Sequence, residues 1–321
     1  MATIVEPYVD FENCPLTDFS DPENRRAMEA SLEKVRKELG KTYPLIIGEE
    51  RVSEGKTVAS VNPADPRQEV GRFVEATTDH ADRALDVATE AFESWKRTTA
   101  DERAVYLDRA ADVMERRRFE LAAWMVYEVS KSWVEADADV AELIDFTRYY
   151  AIQARHMGGS QPVVEFPGEH NEMRYLPLGV CAIIPPWNFP SAIMGGMTLA
   201  AVVSGNTAVL KPAETSTIIA AKFVEIMLGD EVGLPPGVIN FVPGPGAVVG
   251  EYLVDDPRTR LIAFTGSRAV GVRIYERAAR VHPGQKWLKR SVLEMGGKDA
   301  IVVDETADLD AAAEGITMAA F

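Results

Sequence analysis

Four stretches of this 321-residue chain join polar side chains to Gly or Pro at spacings suited to chemistry on a bound ligand. In PPWNFP (185–190), Asn188 sits between Trp187 and Phe189 in a proline-stiffened loop. An amide held that way can donate to a developing oxyanion; the competing reading is an ordinary turn residue. In KPAETS (211–216), Lys211 and Glu214 offer an ammonium and a carboxylate that could grip two ribose hydroxyls, or simply a capped helix start with a solvated ion pair. In TGSRAVG (265–271), Gly266 permits close backbone approach, and a helix opening over Ser267 to Val270 presents free N–H groups to phosphate. A plain N-cap at Ser267 is the alternative. In LEMGGKD (293–299), Glu294 precedes Gly296 and Gly297 and is a candidate general base, or a rim carboxylate satisfied by its surroundings.

All four follow short apolar runs, and that is what gives them meaning. The spacing predicts strands at 180–184, 207–210, 238–242, 261–264, 291–294 and 300–303, alternating with helices near 192–204, 215–228, 246–255 and 269–280. Alternation of apolar strands with helices argues an α/β fold with a doubly wound, mainly parallel sheet. Ligands in such sheets bind outside the carboxyl ends of the strands, where these four stretches and the PGPG turn (243–246) fall. The preceding region reads as helices over 79–98 (Asp79 as N-cap), 101–118, 119–131 and 137–156. Segments 163–166 and 172–176 read as a hairpin around a Pro-Gly turn. An exposed ribbon of that kind leaves unpaired edge groups, so pairing with another subunit is expected.

Composition narrows the function. Lys and Arg number 34 against 50 Asp and Glu, a net charge of −16, which disfavours nucleic acid and anionic membrane surfaces as partners. The start, Met1 to Glu12, is acidic rather than basic, so no signal peptide is read. Two cysteines, Cys14 and Cys181, cannot build a disulfide framework and suit a reducing, cytoplasmic setting. The four histidines show no metal-ligand spacing.

With PPWNFP, LKPAETS, FTGSRAVG and LEMGGKD in this order and at these separations, the chain resembles the aldehyde dehydrogenase superfamily over essentially its whole length. TYPLIIGEERV (42–52), SVNPADP (60–66), PLGVCAIIPPWNFPSAI (177–193) and VLEMGGKDAIVVDETADLDAA (292–312) look most like its 1-pyrroline-5-carboxylate dehydrogenase branch. The resemblance implies NAD-dependent oxidation of glutamate semialdehyde to glutamate through a cysteine thiohemiacetal and thioester. It implies Asn188 as oxyanion donor and Glu294 as the base for thioester hydrolysis. It places Lys211 and Glu214 on the adenosine ribose, Ser267 on the pyrophosphate, Val270 against the adenine and Trp187 beside the nicotinamide. Pro185, Gly244, Gly266 and Gly296 complete the cofactor set; Phe189 and Glu142 belong to the substrate. From the residues alone, Glu142 lies in the acidic run EADADVAE (135–142) and reads as part of a solvated face. A carboxylate at 214 should repel a 2′-phosphate, which favours NAD over NADP.

The resemblance also implies an NAD-binding domain at 1–158 and 178–294, an oligomerisation hairpin at 159–177, and the start of a catalytic domain at 295–321. The family nucleophile lies beyond the helix expected near Asp308, so the chain is expected to be C-terminally truncated. Cys181 reads as a buried inert thiol, and the acidic surroundings of Cys14 should raise its pKa. Another aldehyde dehydrogenase, or a non-catalytic NAD-binding module, is the competing function.

Overall fold

The computed structural model describes residues 11–320, so most of the acidic start and Phe321 lie outside it. The first part holds α1 (Pro22–Arg36), β1 (Lys41–Tyr43), β2 (Leu45–Ile47), β3 (Glu50–Val52), β4 (Thr57–Asn62) and β5 (Asp65–Val74). The helices α2 (Thr78–Trp95), α3 (Ala100–Arg116), α4 (Arg118–Val129) and α5 (Trp133–Met157) follow. Then come β6 (Val180–Ile184), α6 (Ala192–Val203), β7 (Thr207–Leu210), α7 (Thr217–Leu228), β8 (Ile239–Phe241), α8 (Glu251–Asp255), β9 (Thr259–Gly266), α9 (Arg268–Ala278), β10 (Arg290–Met295) and α10 (Leu309–Ala320).

The main sheet has the order β10-β9-β6-β7-β8-β2-β3. Its first five strands are parallel, and β2 and β3 close one edge antiparallel. The chain runs outward from β6 through β7 to β8, then returns to lay β9 on the other side of β6. The order therefore reverses at β6, and the crevice beyond its carboxyl end is the expected ligand position. A second, three-stranded sheet has the order β1-β5-β4.

Alternation along the strands divides two cores. Cys181, Ile183, Ala208, Leu210, Phe241 and Ala263 pack with α1 and α3 to α7. Val180, Ala182, Ile184, Val209, Ile262 and Phe264 pack with α2, α8 and α9. Helix α6, AIMGGMTLAAVV, is almost wholly buried, and its two glycines set its distance from α5. A Cβ on Gly195 would collide with Leu143 Cδ1, and one on Gly196 would stand 2.9 Å from Phe146 Cδ2. At the same junction Asp139 of α5 accepts from Ala192 N, where the loop enters α6.

Several expectations are corrected. Helix α2 is capped by Thr77, not Asp79: Thr77 has the extended backbone a cap needs and forms a capping box with His80. The stretch 300–303 is not a strand; Ile301 and Val302 are exposed, and a strand without a partner ladder has nothing to hold it. The predicted hairpin is reduced to one antiparallel bridge, Gln161 to Met173, as expected of a two-stranded ribbon with no third strand. Residues 246–250 form a π turn before the short α8. Ahead of the helices expected over 79–156 lie β1 to β5, for which no strands were expected; three of them are only three residues long and too short to show a period.

Candidate functional site

The carboxyl ends of β6, β7, β9 and β10 form one rim. Register fixes their levels: Ile184 pairs with Phe264, Glu294 with Thr265, and Met295 with Gly266. With strands about 4.8 Å apart, the backbone of Glu294 stands roughly 10 Å from the end of β6, with β9 between them.

The sheet sorts the candidate residues onto two faces. Lys211 follows Leu210 and turns toward α8; its Nζ donates to Pro212 O at 2.9 Å and Gly244 O at 3.2 Å. It is almost fully buried, and burial pushes its pKa down to about 8, with Glu214 opposing the shift. Glu214 is exposed in a 3-10 turn before α7. Gly244 has no room for a side chain, since a Cβ there would meet Val249 Cγ2 at 2.8 Å and Ala76 O at 2.9 Å. On the same face Ser267 caps α9, its hydroxyl accepting from Val270 N at 3.4 Å. Val270 is exposed beside that helix start. Gly266 is packed under the Phe264 ring, which by itself accounts for its lack of a side chain, whereas Gly296 faces open space.

The α5 and α6 side carries the rest. Thr265 continues the Leu261 and Ala263 alternation toward α6, where its Oγ1 lies 3.4 Å from Met197 Sδ. Residues paired across a parallel ladder point to the same side, so the exposed Glu294 shares this face with Thr265. Pro185 is buried where β6 ends, while Trp187, Asn188 and Phe189 are exposed on the loop leading into α6. Glu142 is half-buried on α5, and its pKa is raised by burial and then by Asp139, against the pull of Lys131.

Two residues of this face were not among the candidates. Asp139 is buried; its Oδ1 accepts from Ala192 N at 2.6 Å and its Oδ2 from Lys131 Nζ at 2.7 Å. Lys131 also stands 4.1 Å from the centre of the Phe189 ring. The acidic run is thus not a solvated face: Asp137 is also buried, held by Arg118 and Thr17. Neither thiol reaches the rim. Cys181 is buried in β6 with its pKa pushed up to about 12 by burial. Cys14 is raised by burial ahead of any neighbouring acid, and Arg118 pulls the other way. Among the described residues, no group of three or more His, Cys, Asp or Glu is placed to hold a metal ion.

The α7 end of the rim is held from below by a buried carboxylate. Glu128 accepts from Ile218 N at 2.7 Å, Ile219 N at 2.8 Å and Ser60 Oγ at 2.8 Å. It occupies the free N–H groups of the α7 N-terminus, while burial pushes its pKa up to about 7 against the pull of those donors. Glu128→Ala strands these donors and should cost about 3 kcal/mol of folding stability. Urea unfolding measures that loss, and a change below the error of the midpoint would contradict it.

Residues 51–321 match the aldehyde dehydrogenase family. The chain is 54% identical over 318 residues to the 1-pyrroline-5-carboxylate dehydrogenase of Geobacillus kaustophilus (strain HTA426), covering 99% of this chain and 61% of that protein. Among solved structures, it is similar to a 1-pyrroline-5-carboxylate dehydrogenase from Thermus with bound NAD, with a TM-score of 0.93 and 50% identity, over 99% of this chain and 61% of that one. It is also similar to proline utilization A from Bdellovibrio bacteriovorus, with a TM-score of 0.94 and 45% identity, over 98% of this chain and 33% of that one. The chain therefore spans about three fifths of the length of the curated relatives it matches. On the match over residues 51–321, the chain belongs to the aldehyde dehydrogenase family.

Proposed function

We propose that this chain forms the cofactor-binding part, and one wall of the aldehyde site, of an enzyme that oxidises L-glutamate 5-semialdehyde to L-glutamate with NAD. The observation that carries the reading is the division of one strand-end rim. A buried ammonium and a helix N-terminus lie on one face, and an amide and two carboxylates on the other. The names and identities of the relatives support the substrate.

The residues present fit a dinucleotide. Lys211 Nζ spends two of its three N–H donors on backbone carbonyls and has one left for a ribose hydroxyl beside Glu214. The opening N–H groups of α9 suit a pyrophosphate, and Glu214 disfavours a 2′-phosphate. Bound there, NAD supplies the hydride acceptor. Asn188 would hold the oxyanion formed when a thiolate adds to the aldehyde. Glu294 would then take a proton from the hydrolytic water, and Glu142 would meet the substrate ammonium. Since Cys14 and Cys181 lie away from the rim, the reading takes its thiolate from a residue outside these 321.

The reading assigns 1–158 and 178–294 to the cofactor domain and 295–321 to the start of the catalytic domain. The arm 159–177, with Val164, Phe166 and Leu176 exposed, would pair with a second copy in a homodimer or larger assembly. No helix among the described residues is long and apolar enough to cross a membrane. Two free, buried thiols suit a cytoplasmic enzyme.

In the full-length protein, Glu142→Ala should reduce kcat/KM on glutamate semialdehyde at least about tenfold more than on propionaldehyde, the loss expected of one charge-assisted contact. Equal losses on both would count against this substrate. The Lys211 placement makes a second test. A charged ammonium binds hydroxyls better than a neutral amine, and the free site loses its charge above about pH 8. The dissociation constant for NAD should therefore rise about tenfold between pH 8 and 9.5, and the rise should vanish in Lys211→Met. Calorimetric titration across this range reads it; a flat profile in the unmutated chain would be the contrary result.

A further inference from the structure

We propose that Lys131 is a positioning and specificity-setting residue of the aldehyde site. Held by Asp139, its ammonium fixes the Phe189 ring and keeps a positive charge beside Glu142. The inference rests on the reading given under Proposed function.

The placement begins with backbone geometry. Helix α4 ends at Ser130, the one described non-glycine residue with a positive φ, at 55°. That left-handed residue reverses the chain between α4 and α5 and turns Lys131 inward instead of leaving it on a helix surface. Its side chain is only 12% exposed, and that of Asp139 is fully buried. A buried ion pair is a poor source of stability, because desolvating both charges offsets their attraction. This pair does more than neutralise itself. Asp139 uses its second oxygen to hold Ala192 N, three residues after Phe189, and Lys131 faces the Phe189 ring. The loop carrying Trp187, Asn188 and Phe189 is thus tied at its exit and clasped at its tip by one charge pair. A cation over a ring in a partly desolvated site orients that ring.

The same pair acts on Glu142, three residues after Asp139 on one face of α5. Four titratable groups bear on that carboxylate: Asp139 and Asp145 oppose its charge, Lys131 favours it, and Tyr150 lies close enough to feel it. Without Lys131, the negative neighbours act unopposed. Glu142 then holds its proton to higher pH and loses its grip on an ammonium.

The test compares Lys131→Met and Lys131→Arg with the unmutated full-length protein. With glutamate semialdehyde, Lys131→Met should raise KM about tenfold while kcat changes by less than threefold. The acid limb of kcat/KM should move to higher pH, and Lys131→Arg should restore both. The limb on propionaldehyde, which has no ammonium, should not move. Amide exchange over 187–192 should be several-fold faster in Lys131→Met, with 180–184 unchanged. Unaltered exchange together with an unmoved limb would overturn the proposal. If the unmutated protein does not oxidise glutamate semialdehyde, the proposed substrate fails. The exchange comparison then decides the positioning role alone: faster exchange upholds it and equal exchange overturns it.

Discussion

Glu294→Gln in the full-length protein should lower steady-state aldehyde turnover by about 10²–10⁴-fold and leave the first turnover nearly intact. Register puts Glu294 level with Thr265 and on the α5 and α6 face, away from Lys211 and Ser267. On the proposed function, a base in that position would serve the water that releases the acyl group, a step that follows hydride transfer. Stopped-flow absorbance should therefore show a burst of NADH near one equivalent per site, followed by a slow phase. Loss of the burst itself would mean that Glu294 acts before hydride transfer, and an unchanged steady state would remove it from the mechanism.

Asn188→Ala should do the opposite. Its amide lies on the exposed loop between β6 and α6, and on the proposed function it would hold the oxyanion that precedes hydride transfer. Removing one such donor typically costs about 3 kcal/mol, or 10²–10³ in rate, and here the loss should fall on the burst. The dissociation constant for NAD should stay within about twofold, because Lys211 and Ser267 lie across the sheet. Weakened NAD binding with an intact burst would place Asn188 on the cofactor rather than on the aldehyde. The two variants together separate addition from release, which a single activity measurement does not.

What could be read in the sequence follows from the range of the interactions. The strands ending at Ile184, Leu210, Gly266 and Met295 contain apolar runs bounded by Gly and Pro, and their ends were legible to within a residue or two. The rim residues Asn188, Lys211, Ser267 and Glu294 followed, since a strand end in a parallel sheet is a binding position wherever it occurs. The division into two faces was not legible. It depends on the pairing of Glu294 with Thr265 and on which helices cover each side, and both are long-range.

Lys131 and Asp139 escaped for a related reason. They are eight residues apart across a helix junction, and the acidic run around Asp139 has the composition of a solvated surface. Long-range packing turns that run inward: Asp139 meets Ala192 at the start of α6, and Asp137 meets Arg118 and Thr17. Thr77 displaced Asp79 as the α2 cap on backbone conformation, which composition does not carry. The expected strand at 300–303 had the right residues and no ladder to join.

On the proposed function, one rim holds the cofactor on the α8 and α9 face and the aldehyde on the α5 and α6 face. The most direct test is a crystal structure of this chain with NAD. A ribose hydroxyl is expected within hydrogen-bond distance of Lys211 Nζ and a pyrophosphate oxygen at the Ser267 end of α9, with Glu142 free of contact. Cofactor density beside Glu142, or none at Lys211 under saturating NAD, would contradict it.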